Sequence, residues 1–356
     1  MSRTSRMPCT FRSTAAAAAV AAVAVSVLAG CQTLPSSSSG GQDPTNVSIM
    51  VGGLDKVIYL PAELTDRLGY FKEQGLTVDL QSQPSGANAE TALVAGQVDG
   101  VVGFYDHTID LQTKGKCIRS VVQFANVPGE VEIVGNNAAI SSTADLKGKK
   151  LGVTSPGSST DFLTQYLAGK AGASSDAYTT VTAGAGATFI AALENGGIDA
   201  GMTTDPTAQQ IKEKGTGKIM LDMRTEDGTR AALGGLYPAS SIYMDCSYVD
   251  AHPGTVQKLA NAFVKTLGYI NTHSGAEIAA QMPADYAAGS GGVTSYAASI
   301  DATKGMFNTT GVMDAEGAKN VLQVLSQFNP NVKGKADSVD LATTYTTDFA
   351  TKVARG

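Results

Sequence analysis

The chain has 356 residues, 26 basic and 32 acidic, a net charge of −6 and no tryptophan. An acidic balance with scattered charges argues against nucleic acid or an anionic lipid surface as a partner. The length is enough for two lobes of ordinary size.

Residues 1–30 read as a leader. Arg3, Arg6 and Arg12 make a positive start without an acidic residue, and an apolar run from Ala15 to Leu28 follows. This is the organisation of a secretory signal peptide. The run falls short of the ~20 residues that a membrane span needs. Leu28-Ala29-Gly30-Cys31 resembles a bacterial lipobox, which implies a diacylglyceryl group on Cys31 at the mature N-terminus. Residues 31–46 include the Ser36–Gly41 tract and read as a flexible tether. The expected location is outside the cytoplasm, lipid-anchored at the outer face of the cytoplasmic membrane or in the periplasm. Without the leader the chain holds 23 basic against 32 acidic residues, a net charge of −9.

Strands and helices then alternate. Val47–Val51 is a strand by its β-branched content and brevity. Leu60, Leu64 and Leu68 mark one face of a helix from Lys56 to Leu68, with Pro61 early, where a helix tolerates it. Thr77–Leu80 is a second strand, Ser85–Asn88 opens a helix that ends near Ala95, and strands follow at Asp99–Phe104 and Ile118–Phe124. A second series has strands at Lys150–Thr154, Tyr178–Val181, Ile198–Met202 and Ile219–Leu221. An amphipathic helix runs through Phe162, Leu163, Tyr166, Leu167 and Ala171. Leu236–Asp245 is extended, and helices dominate from Thr255 onward. Alternation of this kind predicts α/β lobes with parallel sheets.

The two series echo each other at one hundred residues. Leu93-Val94-Ala95-Gly96-Gln97-Val98-Asp99-Gly100 matches Leu193-Glu194-Asn195-Gly196-Gly197-Ile198-Asp199-Ala200, and Lys114-Gly115 matches Lys214-Gly215. The period is too long for a solenoid unit. It predicts two similar lobes whose corresponding loops face one another, with a small ligand in the cleft between them.

The loops carry the candidate ligand groups. Ser85-Gly86-Ala87-Asn88 and Ser155-Pro156-Gly157-Ser158-Ser159-Thr160 each lie between a strand and a helix. Free N–H groups there attract anions and the hydroxyls add donors, although simple N-capping accounts for each loop alone. Phe104-Tyr105-Asp106 offers two aromatics to cover a solute and a carboxylate to meet an amine. Equally, Asp106 can cap the next helix while Phe104 is core. Asp205 before Pro206 faces the same choice. Arg67, Arg119, Arg224, Arg230 and Arg355 all lie outside these loops, so an arginine clamp for a carboxylate or sulfonate is not evident. The three histidines have no zinc-ligand spacing, and dinucleotide, Walker and Gly-x-Ser-x-Gly patterns are missing. No cofactor, metal or catalytic activity is expected. Cys117 and Cys246 remain after Cys9 and Cys31, as a disulfide or as two free thiols.

Several segments together resemble the solute-binding proteins of ABC importers, of the nitrate/sulfonate/taurine type that also includes pyrimidine-precursor binders. They are Leu60-Pro61 through Gly69-Tyr70-Phe71-Lys72-Glu73-Gln74-Gly75-Leu76, Ala92-Leu93 to Asp99, Asp145-Leu146-Lys147-Gly148-Lys149-Lys150-Leu151-Gly152-Val153, and Asp199-Ala200 with Asp205-Pro206. Val339-Asp340-Leu341 and Tyr345–Phe349 add a similar C-terminal ending. The resemblance implies a type II periplasmic-binding-protein fold. Residues 47–136 and 237–356 would form lobe 1 and residues 137–236 lobe 2. It implies a cleft lined by Asp55, Tyr59, Ser85, Gly86, Phe104, Tyr105, Asp106, Val127, Ser155, Ser158, Ser159, Thr160, Thr204 and Asp205. It also implies a returning strand near Pro238–Met244, antiparallel between strands three and four, which would bring Cys246 to Cys117 as a disulfide. The family's pyrimidine-synthesising relatives carry a cysteine cluster that this chain lacks.

The function implied is a monomeric, lipid-anchored receptor that closes on a small solute and delivers it to a permease with its cytoplasmic ATPase. A sulfonate or taurine-like zwitterion is the first choice of solute, and a pyrimidine or other nitrogenous molecule the alternative. A sensory protein of the same fold, or a hydrolase or transferase on it, are the competing classes, because function lives in the site and not in the fold.

Overall fold

The computed structural model describes residues 43–353. The leader, Cys31 and most of the tether lie outside these residues. No helix among them is long and apolar enough to cross a membrane.

Two five-stranded sheets organise the chain. The first has the order β2-β1-β3-β10-β4, formed by β1 (Asn46–Val51), β2 (Thr77–Ser82), β3 (Gly100–Phe104), β4 (Ile118–Gln123) and β10 (Ser240–Asp245). The second has the order β7-β6-β8-β5-β9, formed by β5 (Glu130–Gly135), β6 (Lys150–Val153), β7 (Thr179–Thr182), β8 (Ala200–Thr204) and β9 (Gly217–Asp222). β1 pairs in parallel with β2 and β3, and β6 with β7 and β8. Each sheet then takes one antiparallel strand delivered by the opposite half of the chain. β10 lies between β3 and β4, and β5 lies between β8 and β9.

This exchange corrects the sequence-based lobe boundary. Glu130–Gly135 had no strand assigned to it and fell within 47–136. Its backbone pairs with β8 and β9, so the second lobe begins before residue 137, at Glu130. The physical reason is the composition of the strand. Val131 and Ile133 alternate with Glu130 and Glu132, and all four are buried, so a fully buried strand looks half polar.

The echo is physical. The Asp99 carboxylate accepts the backbone N–H of Ser48 at 2.7 Å, and the Asp199 carboxylate accepts that of Lys150 at 2.7 Å. Each aspartate thus clamps the start of the first parallel strand of its own lobe to the start of the third. Gly96 and Gly196 precede them with φ of 69° and 68°, a left-handed turn that glycine adopts without steric cost.

Cys246, just after return strand β10, is joined to Cys117, just before β4, with a Cα–Cα distance of 5.4 Å. The long helix Pro253–Thr272 then packs on the first lobe. Val256, Leu259, Ala260, Phe263, Leu267 and Ile270 recur at helical spacing and are buried. Phe263 meets Phe71 and Phe124 with ring centroids 5.2 and 4.8 Å apart.

Candidate ligand-binding cleft

The C-terminal ends of β3 and β8 carry the facing loops, the place where open α/β sheets bind ligands. The lobes are closed on each other. A Cβ placed on Gly157 would lie 3.9 Å from that of Ala87. The Val57 N–H donates to the Asp205 carbonyl at 3.0 Å.

Asp106 lies behind Ser159 at the lobe interface. The chain leaves β3 at Phe104 and turns at once into helix Asp106–Thr113, which buries Asp106 completely. Its two oxygens accept the Ser159 hydroxyl from lobe 2 and the Tyr237 hydroxyl from the return crossing, each at 2.9 Å. Burial pushes its carboxyl up from the ordinary value, and His107, Tyr237 and Ser159 pull it part of the way back.

Beside it Lys56, Ile58, Tyr59, Gly86, Glu130, Thr154, Ser158, Ser159, Thr160 and Thr204 line a narrow cavity of about 20 Å³. Lys56 is buried, and its ammonium donates to the carbonyls of Gly52 at 2.6 Å and Pro84 at 3.0 Å. Burial lowers it to about 8, against the pull of Asp55 and Glu130. Glu130 is buried from lobe 2, with Oε2 unpartnered. Burial first, and then Asp106, push its carboxyl well above the usual range. Glu132, two residues on and on the same strand face, is pushed by burial to about 8. Behind Gly86 lies His107, with Nδ1 2.9 Å from the Glu90 carboxylate. Burial opposes charge on His107, but Glu90, Asp106 and Asp110 outweigh it and raise the ring to about 9.

The residues expected to line the cleft divide. Tyr59, Gly86, Ser158, Ser159, Thr160 and Thr204 line it and Asp106 reaches it through Ser159. Phe104 is a buried ring behind it, edge-on to Tyr59 at 6.3 Å. Ser155 borders the same turn, its N–H donating to the Ser158 hydroxyl at 3.3 Å. Ser85 caps helix Gly86–Val94 through the Asn88 N–H. Val127 is buried core at the first crossing. Two residues are elsewhere. Tyr105 turns away from the cleft, its hydroxyl 2.6 Å from Thr344 and its ring edge-on to Tyr345. A helix-start residue beside Asp106 projects into the body of its own lobe, so Tyr105 does not cover a solute. Asp55 is exposed and borders a separate surface cleft with Asp285 and Tyr286.

Asp205 is fully buried but spent. It accepts from Arg224 at 3.0 Å, the Thr303 hydroxyl at 2.6 Å and the Gln209 N–H at 3.1 Å. Arg224 therefore does reach a candidate loop, contrary to its distance in sequence, and is itself shared with Asp222 at 2.6 Å. Ser158 and Thr160 hydroxyls are also engaged locally, 2.7 Å from each other, with Thr160 accepting the Thr154 N–H.

Comparison with known proteins agrees with this architecture. The family model described as NMT1/THI5 like matches residues 61–276. The chain belongs to the NMT1/THI5-like family. A solved protein of Bordetella bronchiseptica RB50 is 33% identical to this family member, over 88% of this chain and 98% of that one, with a TM-score of 0.83. The alkanesulfonate-binding protein of Xanthomonas axonopodis pv. citri, solved with MOPS, shares the fold at 18% identity, over 85% and 99% of the two chains, with a TM-score of 0.68. The fold of this NMT1/THI5-like protein is thus that of the periplasmic solute-binding proteins. A 4-amino-5-hydroxymethyl-2-methylpyrimidine phosphate synthase of Aspergillus parasiticus is 26% identical over 225 residues. That match spans 60% of this chain and 63% of the length of the synthase.

Proposed function

We infer that the protein is the extracytoplasmic, lipid-anchored receptor of an ABC importer, which closes on a small nitrogenous solute and presents the closed form to the permease. The observation that carries the choice of solute is Asp106, a fully buried carboxylate held at the lobe interface by one hydroxyl from each side. A solute with N–H donors complements it. A simple alkanesulfonate brings a second anion into a space where Arg224 is already paired with aspartates and Lys56 with carbonyls. Among the sulfur compounds, a zwitterion such as taurine keeps an amine for Asp106 and is the sulfonate that fits this reading best.

The role is binding without bond chemistry. Ser158 and Thr160 spend their hydroxyls on their own turn, and both cysteines among the described residues form the disulfide. A thermal-shift screen of amines, pyrimidines, zwitterions and sulfonates tests the assignment. A solute at one hundred times its dissociation constant should add about 2.7 kcal/mol. Turnover of the bound molecule, or protection by simple sulfonates alone, would overturn it.

A further inference from the structure

Glu130 is the cleft residue that the interlobe contacts leave unused. It stands at the first position of β5, where the chain has just crossed into lobe 2, and it faces Lys56, Tyr59 and Gly86 of lobe 1 across the cleft. Only 2% of it is exposed, yet Oε2 has no partner. An unpartnered buried acceptor is costly, because it has given up water for nothing. Asp106 in the same cleft, by contrast, has both oxygens bonded.

The charges around Glu130 come from every side. Asp106 faces it from the helix after β3, Glu132 from its own strand, Lys56 and Tyr59 from the segment after β1, and Tyr237 from the return crossing. Lys56 does not form an ion pair with it, being bonded to the carbonyls of Gly52 and Pro84. Two buried carboxyls thus act on each other, and the one ammonium nearby is bonded to carbonyls. In the closed form without solute, the cheapest state is the one in which Glu130 keeps its proton.

We propose that Glu130 is the anchor for a compact organic cation, an amine or amidine, and that binding exchanges the carboxyl proton for the solute's charge. The proton passes from Glu130 to solvent, and the carboxylate so formed accepts the N–H of the solute. No other bond changes. This rests on the receptor reading above and narrows its solute to a cation. Proton exchange makes the affinity rise with pH, by up to tenfold per unit while the free protein still holds the proton.

The test is titration calorimetry of the mature full chain with acetamidine, ethanolamine, taurine, uracil and methanesulfonate, in phosphate and in Tris, from pH 6 to 8. The expected result is tightest binding by acetamidine or ethanolamine, with about one proton released at pH 7. Glu130→Gln should abolish the release, flatten the pH dependence and weaken the cation at least tenfold. Tightest binding by methanesulfonate, a cation bound without proton release, or an undiminished E130Q would overturn the proposal while leaving a receptor. Failure of all five classes to bind would overturn the receptor reading and this one with it. Melting the unliganded proteins gives a check that needs no ligand. Gln is isosteric with the protonated carboxyl, so E130Q should melt no lower than the parent at pH 8. A lower melting point there would mean an ionised, paired Glu130 and would overturn the proposal.

Discussion

Ser159 of the second lobe donates a 2.9 Å hydrogen bond to Asp106 of the first, and both side chains are buried. The bond crosses the cleft, so it exists only while the lobes are closed. It joins the start of helix Ser159–Lys170 to the start of helix Asp106–Thr113, so two helix N-termini point into the same space. The positive ends of both helices make that space able to tolerate a buried carboxylate.

Removing either partner should separate closure from folding. Ser159→Ala leaves Asp106 with Tyr237 alone and loses a hydrogen bond to a charged acceptor, worth about 1.5–3 kcal/mol. The affinity for the solute should fall at least tenfold, and small-angle scattering should show a larger radius without solute. Asp106→Asn should weaken binding further without a comparable loss of melting temperature, since the amide costs less to bury than the carboxylate. Unchanged affinity in Asp106→Asn would return the residue to a purely structural role.

A second prediction concerns pH and Glu132. Its carboxyl has a folded value of about 8 against an ordinary 4.5, through burial alone. Between these values the native state holds a proton that the unfolded chain has lost. Stability therefore falls as pH rises from about 4.5 to about 8, and levels off above that. Glu132→Gln should remove this part of the slope, leaving a variant as stable as the parent at pH 4 and more stable at pH 8 by on the order of several kcal/mol. Urea midpoints across pH 4–8 would check it. Parallel curves for the two proteins would show that Glu132 ionises normally.

These residues also mark the limit of reading the sequence. The hundred-residue echo located both lobes because Asp99 and Asp199 do the same mechanical job, and that job demands the same Gly-x-Val/Ile-Asp spacing. The Asp106 loop was legible for the same reason. Glu130 and Glu132 were not, because Glu-Val-Glu-Ile reads as a half-exposed strand with its acids in water, whereas both faces of β5 are buried. Lys56 looked like any lysine at the start of a helix. Only the fold reveals that its ammonium is buried against Gly52 and Pro84. Tyr105 shows the converse error. Its composition suggested a ligand cover, but side-chain direction is fixed by the helix start, and that points it to Thr344.

The disulfide gives a third prediction. Cys117 and Cys246 are 129 positions apart, so their bond closes a loop containing the whole second lobe. In the chain-entropy picture, closing a loop of that length removes about 5 kcal/mol of unfolded-state freedom, and measured losses run at about 2–5 kcal/mol. The double variant Cys117→Ser/Cys246→Ser should unfold at lower denaturant, by an amount in that range, while keeping solute affinity within about twofold, because the bond lies at the far end of β4 from the cleft. A loss of affinity without a loss of stability would mean that the disulfide shapes the site.

The last prediction separates the two partners of Asp205. Arg224 lies in the same lobe as Asp205, and Thr303 ends the helix Val293–Thr303, which docks against it. Arg224→Ala leaves a fully buried carboxylate without its cation, a change that costs about 3–5 kcal/mol in such sites. It should destabilise the protein with or without solute. Thr303→Val removes one hydrogen bond to a charged acceptor, about 1.5–3 kcal/mol, and the remaining bonds from Arg224 and Gln209 keep Asp205 satisfied. If the Asp205–Thr303 bond forms only on closure, the valine variant should melt like the parent without solute and gain less stability when solute is added. Equal losses in both conditions would show that this contact belongs to the resting fold and that lobe closure turns on the Asp106–Ser159 side of the cleft.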